Sequence, residues 1–520
     1  MRLTDLTIDN HTRVADCHLD IRRHLVLVGT NDSGKSSLLR CLDLLLGADT
    51  ATLYADISAG DLRDPHQPLR IEATFTDLDP DRRTLFGLAG HATTMHVTLT
   101  ATMHDDGQTL TIRRTIDGTD MTVPRLHAIG WTMFDPTDPD TTRHMTDRLL
   151  DDLDLDDLPR RLEPISTQAD QALANTPQLN QLRDRIAEQL TAALPGRFQR
   201  NNLAFSVGNL LEHLTLELHR KGRPRNLWAQ SSGMRTGVAI TLLDALDRDT
   251  QLIGIDEPET HLHPASQRNL ARLLAQGRSQ KIIATHAPDI ISAFDPDQVT
   301  VIRADGHCVQ PDRDFLDDDA RTMLHLWDGS RIEPLTANRV IVVEGVTDRI
   351  LVERCADVTG RSLDASGTTL LQADGWGNMD AWRRLLGDHG YRIPMVQLID
   401  ADAADTTASQ LHTTVDRLAE HHVHVSHPDL EGEYVHALGA DTTWQALHEG
   451  NHFKPSELRT LDGLRDQGSL DEERVAAFCR TPRHKTAAIL AILPFVDATV
   501  ARRIGSIERL LADNADSRLG

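Results

Sequence analysis

The chain has 520 residues, of which 39% are hydrophobic and 25% are charged, a composition typical of a globular protein with two or three domains. Its formal net charge is −24 at pH 7, but the acidic residues are unevenly placed, so this charge neither excludes nor supports a nucleic-acid partner. The five cysteines form no CxxC pair, no apolar run reaches the roughly 18 residues of a membrane helix, and the N-terminus lacks the pattern of a signal peptide. These features argue against a disulfide framework, a structural zinc site and a membrane protein, and predict a cytoplasmic location.

The first motif along the chain is a P-loop. The apolar stretch Leu25–Val28 predicts a strand that leads into Gly29-x4-Gly34-Lys35-Ser36 and then into an apolar-faced helix. Glycines allow backbone N–H groups to surround phosphates, and the helix N-terminus favours their negative charge. We therefore expect ATP as the cofactor, with Lys35 on the β- and γ-phosphates and Ser36 on Mg²⁺. The residues expected to bind the nucleotide here are Gly29, Asn31, Gly34, Lys35, Ser36 and Ser37.

Three further sequence motifs of a nucleotide site lie between residues 231 and 289. The apolar strand LIGIDEPE places Asp256 where it can hold Mg²⁺ and Glu257 where it can polarise the attacking water. The strand IIATHAPD delivers Thr285 and His286 to the same sheet edge, where His286 can sense the γ-phosphate. Ahead of both lies Ser231-Ser232-Gly233.

Together these four pieces resemble the ABC-type ATPase heads of SMC-like and OLD-family proteins. The resemblance covers residues 1 to about 305 and identifies Ser231 and Gly233 as the signature motif, Asp256 and Glu257 as Walker B, and His286 as the switch histidine. In such heads the signature of one protomer closes over the ATP of another. The resemblance therefore implies a homodimer or a higher homo-oligomer. The Q-loop glutamine of the family has no assigned position here.

The segments around these motifs predict the domain order. Residues 1–144 are expected to form the N-terminal part of the ATPase, with an antiparallel β lobe because residues 69–116 alternate between apolar and polar. Residues 145–220 are expected to be helical, either a dimerisation insertion as in OLD proteins or a simple helical subdomain. Residues 221–312 complete the ATPase. The remainder is expected to divide into a second α/β domain at 334–430 and a helical part at 431–520.

The second α/β pattern carries acids at the ends of its strands. The strand RVIVVE ends at Glu344 and is followed by Gly345 and Asp348, and the strand PMVQLIDAD ends at Asp400 and Asp402. Continuous apolar runs suit parallel strands buried on both faces, and function gathers at the carboxyl edge of such sheets. Neighbouring strands lie roughly 5 Å apart, so Glu344 and Asp400 can share a cation. Carboxylates without His or Cys suit Mg²⁺ or Mn²⁺.

This half of the chain resembles a TOPRIM domain over about residues 334–490. The resemblance matches Glu344-Gly345 and Asp400-x-Asp402 to the two TOPRIM motifs, and Asp348 to the second acid of the OLD-nuclease pattern. It assigns Glu431 as a later metal-binding glutamate, with Glu433 as a rival, and Lys485 as the family's lysine. Across both halves of the chain, the expected metal ligands are therefore Ser36 and Asp256 in the ATPase and Glu344, Asp348, Asp400, Asp402 and Glu431 in the TOPRIM domain. The expected catalytic residues are Glu257 and His286 in the ATPase and Glu344, Asp400 and Lys485 in the TOPRIM domain.

The chain has five lysines: Lys35, Lys221, Lys281, Lys454 and Lys485. Since arginine is used almost everywhere else, a lysine is expected where a compact ammonium is needed. Lys35 and Lys485 fit that expectation. Lys454 and Lys281 are expected to tolerate arginine as solvated residues, and Lys221 is expected to matter modestly through a basic cluster with Arg220, Arg223 and Arg225.

The expected fold is therefore α/β: an ABC-type P-loop ATPase head with a β lobe and a helical insertion, then a Rossmann-like TOPRIM domain and a helical C-terminal region. The OLD-family resemblance implies an ATP-regulated DNA endonuclease that uses two metal ions, often in anti-phage defence. Relatives act alone, with a helicase as in Gabija, or with a reverse transcriptase. The alternatives are an SMC-like repair or scaffold ATPase without nuclease activity and a TOPRIM ribonuclease that cuts tRNA. Whether ATP activates or inhibits cleavage stays open.

Overall fold

Three large sheets organise the protein in the computed structural model, which describes residues 1–104, 109–134, 158–178, 180–181, 217–220, 223–226, 252–312 and 332–516. The strands are β1 (Arg2–Asp9), β2 (Cys17–Asp20), β3 (Leu25–Val28), β4 (Leu69–Thr76), β5 (Met95–Met103), β6 (Leu110–Ile116), β7 (Thr119–Asp120), β8 (Trp131–Phe134), β9 (Glu217–Arg220), β10 (Arg223–Asn226), β11 (Leu252–Asp256), β12 (Gln280–Thr285), β13 (Val299–Ile302), β14 (Cys308–Val309), β15 (Arg339–Val343), β16 (Thr368–Gln372), β17 (Met395–Asp400) and β18 (Val423–Ser426). The α-helices are α1 (Lys35–Leu46), α2 (Thr50–Asp56), α3 (Pro80–Phe86), α4 (Val123–Ile129), α5 (Leu158–Ala174), α6 (Pro264–Gln276), α7 (Pro288–Ile291), α8 (Val346–Val358), α9 (Leu363–Ser366), α10 (Met379–Leu386), α11 (Ala404–Gln410), α12 (Leu430–Leu438), α13 (Ala440–Glu449), α14 (Pro455–Asp466), α15 (Glu472–Arg480), α16 (Lys485–Ile492), α17 (Ala498–Ala501) and α18 (Gly505–Asp516).

The first sheet is the antiparallel lobe that the alternating pattern predicts. Its order is β2-β1-β4-β5-β6-β7, and each neighbouring pair is antiparallel. Strand β4 alternates between buried and less buried positions, which places Leu69, Ile71, Ala73 and Phe75 on the core face. Helix α1 packs against β4 and β5 and also against β11 and β12 of the second sheet. The helix that follows the P-loop therefore joins the antiparallel lobe to that sheet.

The second sheet carries the nucleotide motifs and has the order β14-β13-β3-β12-β11-β8. All its pairings are parallel except the one between β13 and β14. Strand β12 lies between β3 and β11. The P-loop after β3 and the acids after β11 therefore flank the end of β12 at one edge of the sheet, as the sequence predicts.

The third sheet is parallel throughout and has the order β16-β15-β17-β18. Every residue of β15 is buried, in keeping with the prediction of a parallel strand covered on both faces. Strands β15 and β17 are neighbours, so the acids that follow them share one edge. This is the Rossmann-like arrangement expected for the second half of the chain.

The C-terminal helices form a separate core against helix α8. Their buried residues include Tyr434, Val475, Ile489 and Ile507, which pack with Leu351 and Val352 of α8 in one hydrophobic cluster. Helix α16 contacts α8 directly. The C-terminal helices are therefore held against the helix that begins at the Glu344-Gly345 motif.

One hydrophobic cluster joins the two parallel sheets. It contains Ile283 of β12 and Phe294 on the nucleotide side together with Ile399 of β17 on the other. At this junction the buried Tyr391 donates its hydroxyl to the carbonyl of Pro296 over 2.7 Å, while Arg303 donates to the carbonyl of Tyr391 over 2.9 Å. The two halves thus share a packed core.

Among the described residues, no helix combines the length and apolar character needed to cross a membrane.

Candidate functional site

The P-loop contains two glycines, at positions where a residue with a side chain would clash or be strained. A Cβ on Gly29 would lie 2.4 Å from the carbonyl oxygen of Ile302 and 2.6 Å from the hydroxyl of Ser33. Gly34 has a φ of 105° and precedes the first residue of α1, a conformation that favours glycine. Both glycines are therefore required by the backbone path that brings the loop to the start of α1.

Lys35 is the first residue of α1, and its side chain folds back over the loop. Its ammonium donates to the carbonyl of Gly29 over 2.9 Å and to the carbonyl of Thr30 over 2.8 Å. Burial lowers the pKa of Lys35, and the nearby carboxylates of Glu257 and Asp256 oppose that shift. To reach a bound phosphate, the ammonium would exchange these carbonyl acceptors for phosphate oxygens.

A cleft of about 300 Å³ opens at this loop. Its lining includes predicted nucleotide residues from the P-loop and from the strand ends: Asn31, Gly34, Lys35, Ser36, Ser37, Glu257 and His286. It also includes Arg13, an exposed residue that the sequence motifs did not single out. Arg13 reaches the cleft because its backbone packs against Gly34, a tertiary contact that leaves no local sequence signal.

The acids after β11 form a second wall of the cleft. Asp256 ends β11, and Glu257 follows with a φ of 42°, a strained conformation for a residue with a side chain. The ring nitrogen Nδ1 of His286 lies 3.5 Å from a carboxylate oxygen of Glu257. The predicted water-polarising acid and the predicted phosphate sensor are therefore neighbours.

Glu259 holds the segment that carries His286. It is buried, and its Oε1 accepts from the hydroxyl of Thr285 over 2.7 Å and from the backbone N–H groups of His286 and Ala287 over 3.0 and 3.1 Å. Glu259 ends the LIGIDEPE motif, and the sequence predicts no separate role for it. A glutamate two residues after Glu257 was the available signal, but only the folded backbone shows what it binds. Ser231 and Gly233 lie outside the described residues, as does most of the 145–220 insertion.

The predicted acids of the second half lie at the carboxyl edge of the third sheet. Glu344 follows β15 and is half-buried, and Asp400 ends the neighbouring strand β17. The Oδ1 of Asp400 accepts from the backbone N–H of Leu430 over 3.1 Å. This bond fixes the start of α12, which carries Glu431, beside the end of β17.

Asp348 is held in the first turn of α8. Its Oδ2 accepts from the backbone N–H of Gly345 over 2.9 Å, and its Oδ1 accepts from the hydroxyl of Thr347. Burial raises the pKa of Asp348, while the Gly345 N–H and the Lys485 ammonium oppose the rise. The Glu344-Gly345 motif and Asp348 thus form one local unit at the head of α8.

The structure separates the two rival glutamates of α12. Glu431 is buried, and its Oε1 lies 3.2 Å from the ammonium of Lys485 at the start of α16. Glu433 instead accepts from the backbone N–H and hydroxyl of Ser506 over 2.9 and 2.8 Å, and from the N–H of His427. Glu433 therefore ties α18 to the end of β18, and Glu431 is the glutamate that faces the other acids.

The acids act on one another through space. The pKa of Asp400 is raised to about 7, mainly by burial and further by the carboxylates of Asp348, Glu431 and Glu344. Burial opposes the charging of Lys485, but the carboxylates of Glu431, Asp400 and Asp348 together raise its pKa. Four predicted acids and the predicted lysine are therefore gathered at one place, with more negative charge than Lys485 alone balances. We call this cluster the carboxylate site: Glu344, Asp348, Asp400, Glu431 and Lys485.

Oxygen donors and excess negative charge at this edge suit a hard divalent cation. The Oε2 of Glu431 is buried and has no hydrogen-bond partner among the described residues, which leaves a donor for such an ion. However, no three His, Cys, Asp or Glu side chains of the described residues already converge around a metal position. Asp402 is exposed in the turn after β17. The residues fit a cation in chemistry, and binding would require side chains to turn inward.

Three family models match the chain. Residues 1–181 match an AAA ATPase domain, and residues 122–292 match an AAA domain described with the candidate AbiEii toxin of a type IV toxin–antitoxin system. Residues 335–402 match the TOPRIM domain of proteins like the overcoming lysogenization defect protein, abbreviated OLD. The matched TOPRIM segment contains Glu344, Asp348, Asp400 and Asp402.

Among curated proteins, an OLD nuclease of Thermus scotoductus is 29% identical over 135 residues, which are 23% of this chain and 25% of the relative. The alignment thus spans a quarter of that nuclease. Among solved structures, the C-terminal region of the Burkholderia pseudomallei OLD protein is 23% identical with a TM-score of 0.29, covering 35% of this chain and 98% of that one. An SMC head domain from Thermotoga maritima is 16% identical with a TM-score of 0.31, covering 58% and 94%.

Proposed function

We propose that this chain, an OLD-family ATPase–TOPRIM protein, is an ATP-regulated, metal-dependent DNA endonuclease. The observation that carries the proposal is the gathering of Asp348, Asp400 and Glu431 with Lys485 at the carboxyl edge of a parallel sheet. Burial and the neighbouring carboxylates together raise the pKa of Asp400 to about 7, which makes its charge unfavourable for folding; shifted acids of this kind cluster at functional sites.

Two divalent ions, Mg²⁺ or Mn²⁺, are proposed to bind through Glu344, Asp348, Asp400, Asp402 and Glu431. When bound, such ions activate water and stabilise the oxygen that leaves the phosphorus. The protein's part is to hold these carboxylates in place through the Gly345 and Leu430 N–H groups. Lys485 is proposed to move from Glu431 towards the scissile phosphate and to balance the charge that grows on it.

The nucleotide cleft is proposed to switch the nuclease. Lys35 and Ser36 bind the phosphates and their Mg²⁺ together with Asp256, and Glu257 orients the attacking water while His286 contacts the γ-phosphate. The Glu259 bonds keep His286 beside Glu257. The shared core between the two parallel sheets provides the physical connection from this cleft to the carboxylate site.

We propose a homodimer or higher homo-oligomer in which Ser231 and Gly233 of one protomer close over the nucleotide of another. The phage-related name of the matched TOPRIM family supports a proposed role in anti-phage defence in the cytoplasm. A helicase or a reverse transcriptase is the proposed kind of protein partner, as the OLD-family resemblance implies.

The test is cleavage by the purified chain of supercoiled plasmid, linear duplex and tRNA, with Mg²⁺ or Mn²⁺ and with or without ATP. We expect nicking or linearisation of DNA that Asp400→Ala abolishes, while ATP binding is kept because Asp400 lies outside the nucleotide cleft. Lys454→Arg serves as a matched control on an exposed helix start. Cleavage of tRNA alone would identify a ribonuclease, and no cleavage at all would favour a scaffold ATPase. Undiminished nicking by folded Asp400→Ala would refute the metal assignment.

A further inference from the structure

Four exposed arginines stand out in the second half of the chain. Within residues 332–516, the side chains of Arg459, Arg483, Arg502 and Arg503 make no hydrogen bond or ion pair with any described residue. Neighbouring arginines are occupied: Arg480 pairs with Asp429 and Glu473. Because these guanidinium groups are exposed and have no carboxylate partner among the described residues, they are available to bind an external anion.

Three of the four lie in two turns, each of which is followed within four residues by a side chain that contacts α12. Arg483 is two residues before Lys485, whose ammonium contacts Glu431. Arg502 and Arg503 precede Ser506, which donates twice to Glu433. Both turns are therefore attached to α12, the helix that carries the site's buried glutamate.

The second turn is also anchored to the strand next to Asp400. The hydroxyl of Ser506 donates to that of Ser426 over 3.0 Å, and Ser426 is the register partner of Asp400 across β17 and β18. With successive Cα atoms 3.8 Å apart, Arg503 lies within about 12 Å of Ser506 along the backbone. The arginines of both turns thus belong to separate segments that are tied to α12 and, for the second turn, to the strand beside Asp400.

The chemistry of these groups points to phosphate. A guanidinium group presents a planar set of donors that matches phosphate oxygens, and it is charged at every relevant pH. Three such charges on two turns suit a ligand with repeated phosphates better than a single phosphate ion. They also reduce, at the point of entry, the repulsion between the carboxylates and a polyanion.

We propose that Arg483, Arg502 and Arg503 form an arginine rim that binds the phosphate backbone of duplex DNA beside the carboxylate site. The proposal of this rim depends on the proposed nuclease function, and it adds where on the protein the DNA substrate is held. Its contacts are to phosphates, so it binds DNA without regard to sequence. Arg459, on the exposed face of α14, belongs to no turn of the site and is the matched control.

The test is binding of a fluorescent 30-base-pair duplex in EDTA, measured by anisotropy at several salt concentrations. The variant R483A/R502A/R503A is compared with wild type and R459A, and thermal unfolding verifies that each is folded. We expect the Kd of the triple variant to rise roughly tenfold or more, and the slope of log Kd against log salt to fall by about 2 to 3. R459A should match wild type in both.

The outcomes separate the rim from the nuclease proposal. A triple variant that binds DNA with the Kd and salt slope of R459A overturns the rim, even if wild type cleaves DNA. Wild-type protein that neither binds nor cuts DNA overturns the proposed function and the rim together. Binding of tRNA that needs the three arginines, without binding of the duplex, rejects DNA as the ligand.

Discussion

The ammonium of Lys485 lies 3.2 Å from the Oε1 of Glu431, and this pair joins the start of α16 to the first turn of α12. Glu431 is 3% exposed, so its charge depends on Lys485 in the absence of a cation. A divalent ion would take over that role and free Lys485 for substrate. The pair therefore links cation binding to the position of the only described lysine at the carboxylate site.

Changing Lys485 to arginine keeps the charge but alters its shape. The planar guanidinium cannot occupy the position of the ammonium beside Glu431, so we expect at least about tenfold lower DNA cleavage. Lys454→Arg is the control, because Lys454 is exposed at the start of α14. Both variants are assayed on plasmid with Mn²⁺. Equal cleavage would show that Lys485 is an ordinary helix-start residue.

Asp400→Asn should stabilise the protein in the absence of metal. Its folded pKa of about 7 lies above the ordinary value of 3.8, so folding disfavours the carboxylate. This unfavourable contribution is complete above pH 7 and vanishes below about pH 4. An amide can still accept from the Leu430 N–H, and we expect a gain of about 1–3 kcal/mol at pH 8 and almost none at pH 4.

The measurement is thermal unfolding in EDTA at both pH values. Asp402→Asn is the control, because Asp402 is exposed and its charge is hydrated. Added Mn²⁺ should make wild type the more stable of the two proteins at pH 8. The Asp400 carboxylate can bind the ion, whereas the neutral amide of the variant binds it more weakly. A gain for Asp400→Asn that does not change with pH would contradict the electrostatic cause.

Glu257→Gln should bind ATP but hydrolyse it about a hundredfold more slowly, because the carboxylate that orients water is lost while Asp256 is kept. If ATP is a switch, this variant held in the ATP-bound state differs from wild type in DNA cleavage at saturating ATP. Hydrolysis and cleavage are measured on the same samples. Identical cleavage by wild type with ATP, wild type without ATP and the variant would show that the halves are uncoupled.

Gly29→Ala should abolish ATP binding. The added methyl group would meet the backbone oxygen of Ile302 at 2.4 Å, so the loop must move. Gly463→Ala is the matched control, since a Cβ there meets no heavy atom of the described residues within 4 Å and the position is helical. That variant should gain about 0.5–1 kcal/mol and bind ATP normally. Binding is measured with a fluorescent ATP analogue.

Lys281→Arg should destabilise the protein, contrary to the expectation from sequence. Lys281 in β12 has no exposed surface; its ammonium donates to the carbonyl of Ser279, just before the strand, and its backbone N–H donates to the buried ring of His24. A longer guanidinium must be packed into that space, at a cost of about 1–3 kcal/mol. Chemical unfolding of Lys281→Arg and Lys454→Arg, measured together, provides the test. Equal stability would place Lys281 at the surface.

The sequence alone was enough to predict the strands and loops whose pattern lies within a few consecutive residues. The P-loop, the strand ending at Asp256 and the strands ending at Glu344 and Asp400 all combine an apolar run with polar residues at its end. That pattern determines both the element and the edge of the sheet where its polar residues lie. The antiparallel lobe was predictable for the same reason, because alternation along a strand reports which face is buried.

Tertiary structure decided what depends on residues far apart in the chain. Glu431 and Glu433 are equivalent in sequence, and only the positions of Lys485 and Ser506 give them different partners. The residues next to Lys281 in the sequence indicate only that it lies near the start of a strand. Its complete burial depends on how the rest of the fold packs around that strand. The roles of Glu259, Arg13 and the core shared around Tyr391 arise in the same way, because packing brings together groups that no local pattern relates.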